Sequence, residues 1–354
     1  MTAAISIPGR PTEVTPSWLT TVLGTEVSTV ETEPIGTGQT GATYRVSVTY
    51  REGAAGLPDT FAVKLPSQDD TVRDRVSIGY RSEHAFYTDV AAHVQIPVPN
   101  CHHCEIDGDG ADFVLLLEDM APAVQGDQIA GCTHAEATLA VRALAGLHGP
   151  TWGDPQWTNF PGIAMPKPEP DSAKGFGDVA KMAADITLDK LGDRMSTENA
   201  ETLRAAMSVV TPWLLREPDR FAVLHGDYRL DNMLFDPDRT RVTVVDWQTL
   251  GAGLPARDLS YFTATSLTPD IRATIESDLV DQYHRALLTF GVTGYDRETC
   301  WQDYRLGMLQ APLITVLGCA FATSTERGDD MMVVMAERGC QAIRELGTLD
   351  LINA

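Results

Sequence analysis

Between Leu224 and Phe235 the chain reads LHGDYRLDNMLF, placing a histidine, two aspartates, an arginine and an asparagine between apolar ends. Asp227 and Asn232 lie close enough in sequence to share one site. A carboxylate there can position or deprotonate a hydroxyl. An amide oxygen is a hard ligand suited to a divalent cation such as Mg²⁺. Gly226 permits backbone angles that other residues resist, and His225 is read as orienting the loop. A second hard oxygen, Asp246, ends the apolar β-branched run VTVV, so a strand could deliver it rigidly. If the segment is extended, Arg229 points the same way as Asp227 and could neutralise a phosphate. This set suits phosphoryl transfer. That chemistry needs covered phosphates, a held metal and a positioned acceptor, and leaves the protein little covalent work.

The elements that would present these groups can be read along the chain. VTPSWLTTVLG is a helix with Thr15 as N-cap, Pro16 at its first position and Gly24 at its end. Strands follow to about residue 118. One pair flanks the turn GTGQTGATYRV, where Gly36, Gly38 and Gly41 could turn backbone N–H groups towards an anion. The next strand, TFAVKLP, alternates Phe61, Val63 and Leu65 on one face with Ala62 and Lys64 on the other. A lysine set among apolar strand residues needs a partner; Glu83, in the helix that follows, is the best candidate. NCHHCEI and DFVLLLEDM form a hairpin around DGDG. Beyond residue 120 the pattern turns helical, opening with the capping box Thr133/Glu136. Helices are expected near 176–192, 197–216, 269–290, 297–325 and 329–347, after a connector over 149–175. The opening motif reads as loop, short strand, turn, short strand. The fold class is therefore α+β: a β-rich lobe over 1–118 and a mainly helical lobe over 119–354, with a cleft between such lobes as the natural ligand site.

Composition narrows the function classes. The 354 residues are 43% hydrophobic and 21% charged, ordinary for a globular chain. A formal net charge of −22 argues against non-specific nucleic-acid binding, because phosphates would be repelled. It is compatible with a cationic substrate, although a solvated acidic surface explains it more plainly. No run reaches the roughly 18 apolar residues of a membrane span, and the N-terminus lacks a signal-like apolar stretch. Six scattered cysteines fit a reduced, cytoplasmic protein.

Three features are read as structural. In CHHC a regular strand turns Cys101 and His103 one way and His102 and Cys104 the other, so the four cannot ligate one ion. DGDGADFVLLLE lacks the glycine that a calcium loop needs at its sixth position, where Asp112 stands. Trp152 and Trp157 are assigned to packing rather than to stacking on a substrate.

In order, the glycine-rich turn, strand lysine, helix glutamate, HGD(x)4N loop and strand-borne aspartate resemble the aminoglycoside-phosphotransferase-like branch of the protein-kinase-like fold, which includes choline- and ecdysteroid-kinase-like enzymes. HGDYRLDN and VDW carry the resemblance most specifically, with GAGLPARDLSYF downstream. It implies a two-lobed kinase-like architecture with a nucleotide-binding first lobe and a catalytic, acceptor-binding second lobe. Asp227 becomes the catalytic base or hydroxyl-positioning group, Asn232 and Asp246 the Mg²⁺ ligands, and Lys64 the phosphate contact paired with Glu83. The backbone from Glu118 to Met120 would bind adenine, and Asp258 would brace the catalytic loop. The nucleotide is expected to be ATP, with GTP also open. Eleven residues separate Asp246 from Asp258, too few for a long activation segment, so the resemblance favours a hydroxyl on a small molecule over a protein substrate. Aminoglycoside-, amino-alcohol- and macrolide- or sterol-like acceptors all remain open. The competing readings are a nucleotide-binding pseudokinase without transfer, and a protein kinase.

Overall fold

The computed structural model describes residues 6–35, 41–51, 56–69, 73, 76–108, 110, 112–216 and 219–353. Gly36 and Gly38 lie outside the described residues. The chain divides into two compact units. One comprises 1–92, 98–122 and 246–248; the other comprises 93–97, 123–245 and 249–354.

The first unit is built on an antiparallel sheet of order β1-β2-β3-β5-β4, made of β1 (Val27–Ile35), β2 (Gly41–Tyr50), β3 (Thr60–Pro66), β4 (Cys101–Asp107) and β5 (Asp112–Glu118). Helix α1 (Pro16–Leu23) starts where Thr15 accepts a hydrogen bond from the Trp18 N–H and stops at Gly24, whose φ is 67°. The alternation of β3 is realised. Phe61, Val63 and Leu65 pack into one core with Val46, Val114, Leu116 and the α1 residues Trp18 and Leu19. Each such fully buried side chain stabilises the unit by about 1.5–3 kcal/mol. The opposite face of the sheet carries a second cluster of Tyr80, Phe113, Leu115 and Leu117, with Ala62 against it; Lys64 shares that face. Tyr80 comes from α2 (Ser77–Ala85), the expected helix, which runs on through a π turn at Phe86–Val90.

The β4–β5 hairpin forms as expected, closed by Gly110 N–H donating to Asp107 O at 3.0 Å. Its register corrects one expectation. Cys101 lies opposite Leu117, His103 opposite Leu116 and Cys104 opposite Leu115, so the strand bulges at His102. The extra residue breaks the simple alternation. His102 and His103 both face the first core, edge-on to Phe61 and Trp18 respectively, and Cys101 and Cys104 share the other side.

The second unit is mainly helical. Helix α3 (His134–Thr151) carries the Thr133/Glu136 capping box. Helix α4 (Pro170–Leu191) begins earlier than expected, because Pro170 occupies the first position and the Ser172 hydroxyl accepts from the Glu169 N–H. The expected helix over 197–216 is α5 (Thr197–Ser208) and α6 (Val210–Leu215), broken at Val209. One helix was not foreseen: α7 (Ala256–Ser266), every residue of which is buried. Arg257, Asp258, Ser260, Thr263, Thr265 and Ser266 are buried along with its apolar residues, so burial does not follow polarity and no apolar stripe marks the helix. Helices α8 (Pro269–Thr289), α9 (Arg297–Gly307), α10 (Gln310–Phe321), α11 (Glu326–Leu346) and α12 (Thr348–Asn353) complete it. The stretch Arg297–Phe321 is long and apolar enough to cross a membrane, against the expectation that no run would be; 67% of its most apolar window is buried within the protein. Short strands β6 (Val124–Gln125), β8 (Met233–Phe235) and β9 (Val242–Val244) pair antiparallel, and β7 (Ala222–Leu224) pairs with β10 (Gly251–Gly253). Trp157 is buried edge-on to Phe160, and Trp152 packs on Tyr295, both as packing residues.

Candidate active site

The first unit gathers three charges on one face of its sheet. β3 holds Lys64 with its Nζ 2.7 Å from Glu83 Oε2, in α2, and 3.1 Å from Asp246 Oδ1. The Glu83 side chain is 2% exposed and that of Lys64 13%, whereas that of Asp246 is 37% exposed. Gln248 Nε2 adds a donor to Glu83 Oε2 at 3.3 Å. Burial opposes the Lys64 charge, but Asp246 and Glu83 outweigh it and hold the ammonium above its ordinary value. Burial, with the Asp246 carboxylate beside it, pushes Glu83 up, while Lys64 pulls it down. Gly41 packs close to this group: a Cβ there would sit 3.2 Å from Leu65 O and 3.3 Å from Lys64 Cε, so a side chain would need its neighbours to shift by a few tenths of an ångström.

Asp246 lies two residues past the end of β9 in the chain and adopts φ 67°, a left-handed conformation uncommon outside glycine. Its neighbour Trp247 is fully buried and stacks on Phe86 with ring centroids 3.5 Å apart. In the segment expected to read adenine, Glu118 is tied to Asn100: its N–H donates to Asn100 O at 2.9 Å, and its carboxylate accepts from Asn100 Nδ2 at 2.9 Å. Arg45 Nε grips Asp119 Oδ2 at 2.7 Å, a contact the sequence did not suggest. Met120 is half-buried beside it.

The second unit builds the HGD loop from the helix α7 that follows it. Asp258, fully buried, accepts from His225 N–H at 2.7 Å and from Gly226 N–H at 3.0 Å. His148 of α3, equally buried, hydrogen-bonds the same carboxylate at 3.3 Å and Tyr283 Oη at 2.7 Å. The bracing role expected of Asp258 is thus formed in full. His225 orients the loop: its Nδ1 accepts from the Asp227 N–H, so Nε2 donates to Val245 O at 3.1 Å. Gly226, at φ 82°, leaves no room for a side chain, since a Cβ would stand 2.3 Å from Thr249 O.

This loop brings Asp227, Arg229 and Asn232 together. Asn232 Nδ2 donates to Asp227 O at 2.8 Å and to Asp227 Oδ2 at 3.0 Å, which turns its own Oδ1 away as an acceptor. Arg229 Nε donates to both Asp227 oxygens, at 2.9 and 3.0 Å. Tyr261, one turn after Asp258 on α7, donates to Asp227 Oδ1 at 2.6 Å. Burial disfavours the Arg229 charge, but Asp227, Tyr261 and Asp231 raise it well above its ordinary value. Burial and Asp227 raise the Tyr261 phenol likewise, so it stays a neutral donor. Arg229 is therefore engaged by carboxylates, where the sequence suggested a phosphate contact.

Further residues fix the loop. Asp231 accepts from Arg327 at 3.0 and 3.1 Å and from the Gln128 N–H at 3.1 Å, and Gln128 Oε1 accepts from the Leu230 N–H at 2.8 Å. Tyr261, Asp231, Gln128, Arg327 and His148 were missed by sequence reasoning.

The family model for the "Phosphotransferase enzyme family" matches residues 31–298. Among solved structures, a putative aminoglycoside phosphotransferase from Ralstonia eutropha superposes with TM-score 0.54 at 16% identity, covering 93% of this chain and 97% of that one. Aminoglycoside phosphotransferase APH(4)-Ia, in a ternary complex with ADP and hygromycin B, superposes with TM-score 0.51 at 13% identity, covering 94% and 98%. At these identities the likeness is one of fold. Shorter similarities reach acyl-CoA dehydrogenase family member 11 of Gallus gallus (39% over 69 residues, 18% of this chain) and member 10 of Mus musculus (30% over 115 residues, 28% of this chain). The matched stretches span 9% and 10% of those proteins.

Proposed function

Because the chain belongs to the phosphotransferase enzyme family, we propose that it transfers the γ-phosphoryl group of ATP to a hydroxyl of a small molecule, with Mg²⁺ as cofactor. The observation that carries this reading is the loop held by Asp258, which sets the Asp227 carboxylate beside the Asn232 amide. The acceptor oxygen attacks the γ-phosphorus while the bond to the β–γ bridging oxygen breaks and ADP leaves. Asp227, 19% exposed at its side chain, orients the acceptor O–H and takes its proton. Asn232 and Asp246 each carry a hard oxygen of the kind Mg²⁺ takes; such an ion would neutralise charge developing on the phosphates. Lys64, kept cationic by Glu83 and Asp246, would meet the phosphates. At the adenine segment the Glu118 N–H is already committed, which leaves the N–H groups of Asp119 and Met120 to meet the base.

The acceptor is a small hydroxylated compound of aminoglycoside, amino-alcohol or macrolide/sterol type. A relative in the fold, an aminoglycoside 2'-phosphotransferase-IIIa, was solved with GDP, so GTP belongs in the test beside ATP. The experiment incubates the protein with Mg²⁺, either nucleotide and a library of hydroxylated metabolites and antibiotics, and follows phosphate transfer by mass. Transfer to at least one member, strongly reduced in Asp227→Asn, is expected. Undiminished transfer in that variant would overturn the role of Asp227. Nucleotide binding without transfer to any member would favour a binding protein instead, and transfer to protein substrates alone would favour a protein kinase.

A further inference from the structure

The bulge in β4 creates a pair that regular alternation would have separated. Cys101 and Cys104 lie opposite Leu117 and Leu115, two residues apart on β5 and hence on one face. Two strand residues span about 7 Å, near the upper end of the Cα separation a disulfide bridges. The intervening histidines are occupied on the opposite face by Phe61 and Trp18. β4 is the last strand of its sheet, Cys101 is exposed and Cys104 is half-buried against the Tyr80 cluster. We propose that Cys101 and Cys104 form a dithiol modification site, closed to an intramolecular disulfide by hydroperoxides and reopened by small thiols.

Cys101 is the attacking group. A hydrogen bond from the Cys104 thiol holds its pKa below the ordinary thiol value, and Cys104 is raised correspondingly. Cys132, Cys300 and Cys340, by contrast, are each pushed up to about 12 by burial. The Cys101 thiolate attacks one peroxide oxygen, giving a sulfenic acid and releasing water or the alcohol. Cys104 sulfur then attacks Cys101 sulfur, displacing hydroxide, which leaves as water with the Cys104 proton. Two thiols are oxidised and one hydroperoxide is reduced. Opening runs through a mixed disulfide with the incoming thiol. A bond at the long end of the Cα range is strained, which makes it readily reducible.

The test uses the full chain, reduced, treated with hydrogen peroxide and then alkylated under denaturing conditions. The intact mass should fall by two hydrogens, two fewer thiols should alkylate, and peptide mapping should join Cys101 to Cys104; reduced glutathione should restore both thiols. In Cys104→Ala the Cys101 sulfenic acid should accumulate without a cross-link, and iodoacetamide should label Cys101 several-fold more slowly in the native protein. Retention of all six alkylatable thiols, a bond between any other pair, or a Cys101 bond between two molecules would overturn the proposal. The wild-type mass decides the matter even if the variant misfolds, and the outcome is independent of phosphotransfer.

Discussion

The two charged clusters of this molecule are assembled on opposite principles. Around Lys64, one ammonium serves two carboxylates, Glu83 and Asp246, so the group carries a surplus negative charge. Around Asp227, one carboxylate is met by a guanidinium, a phenol and an amide, so charge and hydrogen bonds close on themselves. An unbalanced cluster gains from an incoming cation, whereas a balanced one holds a side chain in a fixed pose. The first arrangement suits metal-bound phosphates, and the second suits a residue whose orientation matters more than its charge.

Substitutions can break this contrast, beginning with the largest effect. Asp227→Asn should lower the transfer rate about 10²–10⁴-fold while nucleotide affinity, measured by calorimetry, stays unchanged. Lys64→Met strands the buried Glu83 and should cost about 3–5 kcal/mol in urea unfolding; adding Glu83→Leu should recover most of it. Asp258→Asn faces two loop N–H groups with a poorer acceptor and should cost about 1–3 kcal/mol. Amide exchange at His225 and Gly226 should accelerate with it. Tyr261→Phe removes a single hydrogen bond, worth about 1 kcal/mol, and should lower kcat while leaving the nucleotide KM alone. A Tyr261→Phe effect confined to stability would mean that the balanced cluster is structural scaffolding only.

Where each side chain reports its own surroundings, the sequence was legible. The alternation Phe61, Val63, Leu65 predicts the face of β3 that is buried, and leaves Lys64 in need of the partner it finds in Glu83. Thr15, Pro16 and Gly24 bound α1 because caps act locally. Long-range partners were not legible. Nothing in HGDYRLDN says that Gln128 or Arg327 will fasten Leu230 and Asp231. Helix α7 was hidden by its own burial, and with it Tyr261. The faces of CHHC were misassigned because a bulge is a property of two strands in register, and only one of them is spelled out at those four positions.

One backbone angle carries a consequence for reading any variant of Asp246. At φ 67°, asparagine is the replacement that tolerates the same conformation, and alanine is not. Asp246→Asn therefore isolates electrostatics from posture, since it deletes the charge and spares the main chain. Asp246→Ala confounds the two. The gap between those variants measures how much of the residue's importance lies in its shape.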